Sequence, residues 1–465
     1  MTKAISRRLN DSPAARWTVL FIVATAMMMG YFVNDVMSPL ESLLEAPRSA
    51  GGLGWTPADY GFFSGASGLI NVFLLMLFFS GLILDRMGIR FTGVLACSLM
   101  VLGTLIKLYG ISAAPEGQFF GLPASVAVAS LGFAVFGVGY EMTGITVSKA
   151  MVRWFTGHEL ALAMGIQLAM ARLGTAAALS ISAPIARHFA LPTPLLLSVA
   201  FLCIGLLAFL VFCVMDRKLD NDMGSGAASA DTRQASHSEG TTGEDDDQFH
   251  WSDIGQTLCS PGFWLITLFC VLFYSAVSPF LKFSTRLMVM KYGVDADLAG
   301  FFSSIAPFGT ILLTPLFGYV YDRYGRGVTL VTIGALLLTA VHFGFALPLP
   351  HPLEGAGSTV AIALMVILSI GYSLAPAALW PCVPKIIPLK CLGTAYSMIF
   401  FIQNFGRTII PALVGRANES DPSYTTSMLI FGFTALGAAV VALAMRHVDR
   451  KKGYDLQLPN IRKQQ

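Results

Sequence analysis

Uninterrupted apolar stretches of roughly 18 to 25 residues recur from one end of this chain to the other, each long enough to cross a ~30 Å hydrocarbon layer as a helix. Twelve spans are expected, at 17–38, 58–84, 89–109, 122–147, 158–182, 192–215, 262–286, 296–320, 328–347, 358–384, 391–415 and 424–447. Of the 465 residues 55% are hydrophobic and only 12% charged, a balance far from that of a soluble enzyme. The fold class this implies is an all-α integral membrane protein, because lipid leaves backbone groups no partner outside their own helix.

The first apolar run is full length and follows Lys3, Arg7, Arg8 and Arg16, so it reads as a spanning helix behind a basic tail (1–16) and not as a cleaved leader. Most of the 30 Lys and Arg fall on the side of both termini, and Arg172, Lys282 and Arg407 are the ones placed well inside spans. The positive-inside rule then puts both ends, including a tail over 448–465, in the cytoplasm. The seven cysteines show no paired spacing, so no metal site, disulfide framework or cofactor is expected.

Around "NDMGSGAASADTRQASHSEGTTGEDDDQ" the apolar pattern collapses into Gly, Ser, Thr, Ala and acids. Such a composition cannot bury itself, and 216–255 is expected to be a flexible cytoplasmic linker between six-helix bundles over 17–215 and 256–447. The halves share landmarks. "GLILDRMGIR" at 81–90 is echoed by "GYVYDRYGRG" at 318–327, an offset of 237; Gly139-Tyr140 recurs as Gly371-Tyr372, and "ARLG" at 171–174 falls opposite "QNFG" at 403–406, both at 232. Near-equal offsets point to an internal repeat.

The pattern G-x-x-x-D-R-x-G-x-R, complete in the first half, resembles the cytoplasmic loop signature of the major facilitator superfamily, and the six-plus-six division extends that resemblance over the whole chain. In physical terms Asp85 and Asp322 can accept from a neighbouring helix N-terminus. Arg86, Arg90, Arg323 and Arg326 are then expected to form ionic latches at the cytoplasmic gate; the plainer reading makes them topology-setting charges.

An ionised group at bilayer depth costs at least ~2.5 to 3.5 kcal/mol, so the few present should face a cavity and have partners. Glu141 lies about eight residues, ~12 Å, from the expected cytoplasmic end of span four, and Arg172 about 21 Å up span five. The two could neutralise each other. Alternatively their ~9 Å difference in height, close to the ~7 Å of two extended residues, would let a zwitterion bridge them. Glu141 would then take the ammonium and Arg172, with its donor fork, the carboxylate.

"RWFTGHELALAMGIQLAMARLGT" at 153–175 and "YSLAPAALWPCVPKIIPLKCLGTAYSMIFFIQNFG" at 372–406 resemble the corresponding segments of the lysosomal dipeptide transporter family of animals, through W-F-x-G-x-E-L, G-x-Q-L-x-M-A-R-x-G, A-L-W-P, L-G-T-A-Y and I-Q-N-x-G. The resemblance implies that a span-four glutamate and a span-five arginine, here Glu141 and Arg172, hold the peptide termini, and that transport is uniport. It also draws in Asp35, Gln167, Tyr274, Tyr372, Trp380 and Asn404. Chemically the three aromatics offer a wall with polar tips, though each alone is as well read as packing, and Asn404 offers a neutral hydrogen-bonding partner at the repeat position of Arg172. Two features depart from the pattern. Phe133 stands where related exporters often carry an arginine, and Lys282 and Arg407 are cations not expected in the dipeptide family.

The expected function is a secondary transporter of short peptides that works by alternating access. The alternative is an organic anion carrier of the monocarboxylate or oxalate type, favoured by the excess of Arg172, Lys282 and Arg407 over Asp35 and Glu141. A membrane-embedded enzyme or a receptor finds no support, since no phosphate loop, HExxH or credible nucleophile–base set occurs and a receptor needs no paired gate motifs. There is no basic domain for nucleic acid. A monomer in a bacterial cytoplasmic membrane is expected, or in the lysosomal membrane of a eukaryote, where Asn418-Glu419-Ser420 would be a glycosylation acceptor.

Overall fold

The computed structural model describes residues 9–113, 115–119, 121–155, 160–231, 260–348, 356–387 and 392–459. The first half comprises α1 (Pro13–Asp35), α2 (Glu41–Glu45), α3 (Pro57–Gly65), α4 (Leu69–Phe73), α5 (Met76–Ser112), α6 (Ala124–Phe155), α7 (Leu160–His188) and α8 (Thr193–Asp231). The second comprises α9 (Pro261–Tyr292), α10 (Ala296–Tyr324), α11 (Gly327–Ala346), α12 (Ala356–Leu379), α13 (Val383–Ile386), α14 (Leu392–Ser420) and α15 (Thr425–Lys452). Apolar side chains face outward as well as inward: Leu207, Leu312 and Val440 are more than half exposed, as a lipid-facing surface requires.

Eleven helical stretches among the described residues are long and apolar enough to cross a membrane. The second expected span, 58–84, is not one of them, because it is broken. Thr56 and Asp59 form a capping box that starts α3 at Pro57. A 3-10 turn at Ala66–Gly68 and the short α4 follow, and Leu75 then takes a left-handed φ of 53° before α5 begins. Gly88, at φ 80° and ψ 171°, divides α5 within the D-R-x-G motif, so that one residue separates the second crossing from the third.

The two halves meet most closely on the face opposite the termini. A Cβ at Gly61 of α3 would lie 2.6 Å from the Pro411 carbonyl of α14, and one at Gly65 would lie 2.3 Å from that of Thr408. Only glycine permits this backbone-on-backbone seam. A second seam sets α10 against α7, where Arg187 pairs with Asp297 at 2.7 Å.

On the face of the termini, a set of ion pairs among the described residues runs within the first half. Arg90 meets Asp220 at 2.7 Å and Asp216 at 3.7 Å, while Arg153 meets Asp216 at 3.3 Å and also Asp220, and Trp154 Nε1 donates to Asp216. These bonds tie α5 and α6 to α8 and hold its Asp216–Asp220 turn as helix past the expected start of the linker at 216; the helix itself runs on to Asp231. The rest of that linker, 232–255, lies outside the described residues. The expected tail at 448 also begins as helix, and the chain after Lys452 folds back. Gln457 O accepts from Arg326 N at 2.7 Å, and Leu458 O accepts from Lys385 Nζ at 2.7 Å. Asn418 is buried within α14 and bonded to Ser427, which removes it as a glycosylation acceptor in this fold.

Candidate substrate-binding site

Glu141 lies fourteen residues before the end of α6, about 21 Å at the helical rise, and Arg172 at least twelve residues, about 18 Å, into α7. The expected ~9 Å difference in height therefore shrinks to about 3 Å, because α6 continues to Phe155, six residues further than the eight counted from Glu141. Nor do the two neutralise each other. Glu141 Oε1 accepts from Arg407 Nη1 at 2.7 Å, across the gap between the halves. Both side chains stay under one-fifth exposed, at 17% and 19%.

Arg172 also faces the second half, but it meets rings. Its guanidinium carbon lies 4.8 Å from the centre of Tyr372 and 6.0 Å from that of Tyr31. Among the described residues no carboxylate is within ion-pair distance of it. Cation–π attraction of about 2 kcal/mol per desolvated pair steadies the group and leaves its planar donor fork without an acid. Tyr31 touches Tyr140 edge-on at 5.1 Å, and Arg407 lies 6.0 Å from the Tyr140 ring. An aromatic bridge thus runs from the unpaired Arg172 to the Glu141–Arg407 pair. Tyr31, Tyr140, Met27, Gly30 and Met100 line a cavity of ≈ 40 Å³ beside Glu141, room for a group of ammonium size.

The other expected site residues fall into three groups. Tyr274 and Trp380 form part of one wall, with Trp380 Nε1 donating to Tyr274 Oη at 3.1 Å, so their polar tips serve each other. Asn404 and Gln167 are turned to local tasks: Asn404 Nδ2 donates to Phe400 O within its own helix, and Gln167 Nε2 contacts Met27 Sδ. Asn404 is thereby not an open counterpart of Arg172, because a buried amide takes the nearest free carbonyl. Asp35 and Lys282 form a second cluster nearer the face opposite the termini. Asp35 accepts from Thr175 and Asn34, each at 2.8 Å, and Lys282 Nζ stands 3.6 Å away, donating to Asn34 O.

That cluster contains a cation that the sequence reading left at the edge of a span. Lys107, wholly buried, donates to Val33 O at 3.2 Å and lies 4.8 Å above the Phe133 ring, which Lys282 approaches to 5.2 Å. Phe133 thus supplies a face shared by two lysines. Arg286, placed at a span end, is likewise enclosed, with Glu41 and Glu45 as its partners.

Among the described residues, no ion pair between the halves involves the gate arginines Arg86, Arg90, Arg323 or Arg326. Arg90 is bonded within its own half, Arg86 is exposed, and the Asp85 side chain lies outside the described residues. In the second half Arg323 donates to Tyr319 at 2.6 Å and not to an acid, Asp322 is half-buried, and Arg326 is exposed with its backbone bound to the tail.

Two helical bundles in a membrane, packed around charged groups that meet between them, have the architecture of a membrane transporter. The chain belongs to the Major Facilitator Superfamily, whose family model matches residues 20–411 and 291–455. Over 394 residues, 82% of this chain and 77% of the relative, it is 25% identical to the lysosomal dipeptide transporter MFSD1 of Homo sapiens. It is 28% identical to that of Danio rerio over 353 residues, 74% of this chain and 69% of the relative. In fold it is similar to the nucleoside transporter NupG (TM-score 0.67, 13% identity, 92% of this chain and 99% of that one). A similar likeness links it to the peptide transporter POT in complex with alafosfalin (TM-score 0.65, 17% identity, 96% of each). The chain is a multi-pass integral membrane transporter, and the expectation of a transporter rather than an enzyme agrees with its relatives.

Proposed function

We propose that this protein carries dipeptides or other short peptides, Arg172 holding the carboxylate end and Glu141 the ammonium end. The observation that carries the reading is the asymmetry of the two charges: Arg172 has rings and no acid, whereas Glu141 is occupied by Arg407 from the opposite half. A substrate ammonium competes with Arg407 for Glu141, and when it wins, a bond between the halves is exchanged for one to cargo. Substrate binding thereby lowers the cost of moving one half against the other. The 25% identity to a dipeptide transporter supports the cargo class.

Because the site retains its own counter-charge in Arg407, no proton is needed to keep Glu141 satisfied when empty, and uniport follows. The proposed setting is a monomer in a bacterial cytoplasmic membrane with both termini in the cytoplasm, the side richer in Lys and Arg. The face opposite the termini is then the closed one.

Lys107 strengthens the second reading, an organic anion carrier, by adding a buried cation beside Lys282. Thermal unfolding of the purified protein with dipeptides, N-acetylated dipeptides and organic acids separates the two. A peptide carrier is stabilised by free dipeptides and much less by their acetylated forms. Stabilisation by organic acids and by no peptide would overturn the proposal.

A further inference from the structure

Beyond the central site, α2 and α9 enclose Glu41, Glu45 and Arg286. Arg286 Nη1 is ion-paired with Glu45 and lies 3.8 Å from Glu41 Oε1. The Glu41 side chain is 1% exposed, and both its oxygens are buried without a hydrogen bond. The titratable groups around it are Glu45 from α2, Tyr60 from α3, Arg286 and Lys282 from α9, Tyr424 before α15, and Asp35 at the end of α1. Lys282 is committed to Asp35, and Arg286 is the cation in contact with Glu41. Two carboxylates therefore share one guanidinium, which lies nearer Glu45 than Glu41.

A buried carboxylate with neither a counter-ion of its own nor a hydrogen bond costs several kcal/mol, whereas its neutral acid costs far less. Two acids around one cation in a dry site are relieved by a single proton. Glu45 holds Arg286, so the proton belongs on Glu41.

We propose that Glu41 is a proton-binding site, its carboxyl protonated while the halves are closed on the face opposite the termini. When α2 and α9 part and water enters, the O–H bond breaks, the electron pair stays on the carboxylate and the proton passes to bulk water on that face. Tyr60 packs edge-on against Phe283 and donates to Lys282 O at 3.0 Å, filling the turn between Glu41 and the central site. The proton accordingly enters and leaves by one face. It sets how readily that face opens and drives no net transport, so the site goes beyond the proposed peptide uniport and does not depend on the cargo.

Infrared difference spectra of the full chain in lipid at neutral pH test the site without substrate. Wild type should show the carbonyl stretch of a protonated carboxylic acid that Glu41→Gln lacks. Glu45→Gln should also lack it, since Arg286 then has Glu41 alone; this second variant decides the matter if the first does not fold. Thiol labelling of Ser64→Cys, at the seam beside α14, should rise with pH on that face by up to about tenfold per unit, one proton per opening. The rise should vanish when Glu41→Gln is added. A carboxylic band unchanged in both glutamine variants, or labelling equally pH-dependent with and without Glu41, overturns the proposal.

Discussion

The two faces of this transporter are held by different chemistry. Opposite the termini, the halves touch each other through glycine backbones and through ion pairs that cross the gap: Arg187–Asp297, and Arg286 with Glu41 and Glu45. On the face of the termini, the strong ion pairs stay inside one half, where Arg90 and Arg153 grip Asp216 and Asp220. If the halves rock against each other as proposed, bonds of the first kind must break in a transport cycle and bonds of the second kind need not. In that cycle the crossing set is the switch, and the internal set keeps the first bundle rigid while it moves. Glu141–Arg407 belongs to the crossing set by geometry, but it alone of the named pairs stands beside the unpaired Arg172.

The sharpest way to break this distinction is to fill the seam. In Gly61→Leu the new side chain meets backbone at 2.6 to 3.0 Å, where neither strand of the seam can yield without moving a helix. Overpacking of this kind costs about 3 kcal/mol. The closed form should lose population by roughly a hundredfold relative to the open one. Transport should collapse while the protein still folds, and thiol labelling of Ser64→Cys should become fast. An active, slowly labelled variant would mean that the seam is packing and not a gate.

A smaller effect is expected at the central pair. Arg407→Gln leaves Glu141 without its resident cation, so an incoming ammonium no longer has to compete. Free dipeptides should bind about three- to tenfold more tightly, an energy of about 1 kcal/mol suited to a pair that is partly exposed. N-acetylated dipeptides should bind as they do to wild type. Equal gains for both, read by calorimetry, would show that Arg407 acts on the carboxylate end or on packing alone.

Much of this arrangement could be read from the order of residues. Apolar length gave the helical crossings other than the broken second one, and the cost of charge in lipid marked Glu141 and Arg172 as interior groups. What could not be read depends on contacts between distant segments. Arg407 meets Glu141 across 266 positions, and no local pattern ranks it above Arg172 as partner. The break at Leu75 is invisible in an unbroken apolar run, since it belongs to the fit of α3 and α4 against α14. Lys107 and Arg286 were missed for a simpler reason. The helices extend several residues beyond the apolar windows, to Ser112 and Tyr292, and carry inside what a window count leaves at the edge.

The least effect is predicted for the internal set, and its smallness is what makes it informative. Asp216 is almost wholly buried between Arg90, Arg153 and Trp154, yet its arginine partners are 39% and 29% exposed, so water screens much of the attraction. Asp216→Asn keeps the shape and can still accept from Trp154. The loss should be about 1 kcal/mol, seen as a fall of a few degrees in unfolding temperature. If these bonds only stiffen the first bundle, the rate of transport per folded molecule should stay within about twofold of wild type, because a rigid body that is slightly less stable still rocks against its partner over the same barrier. If the rate falls with the charge while the unfolding temperature holds, then α8 takes part in the conformational change, and the division between crossing and internal bonds has been drawn in the wrong place.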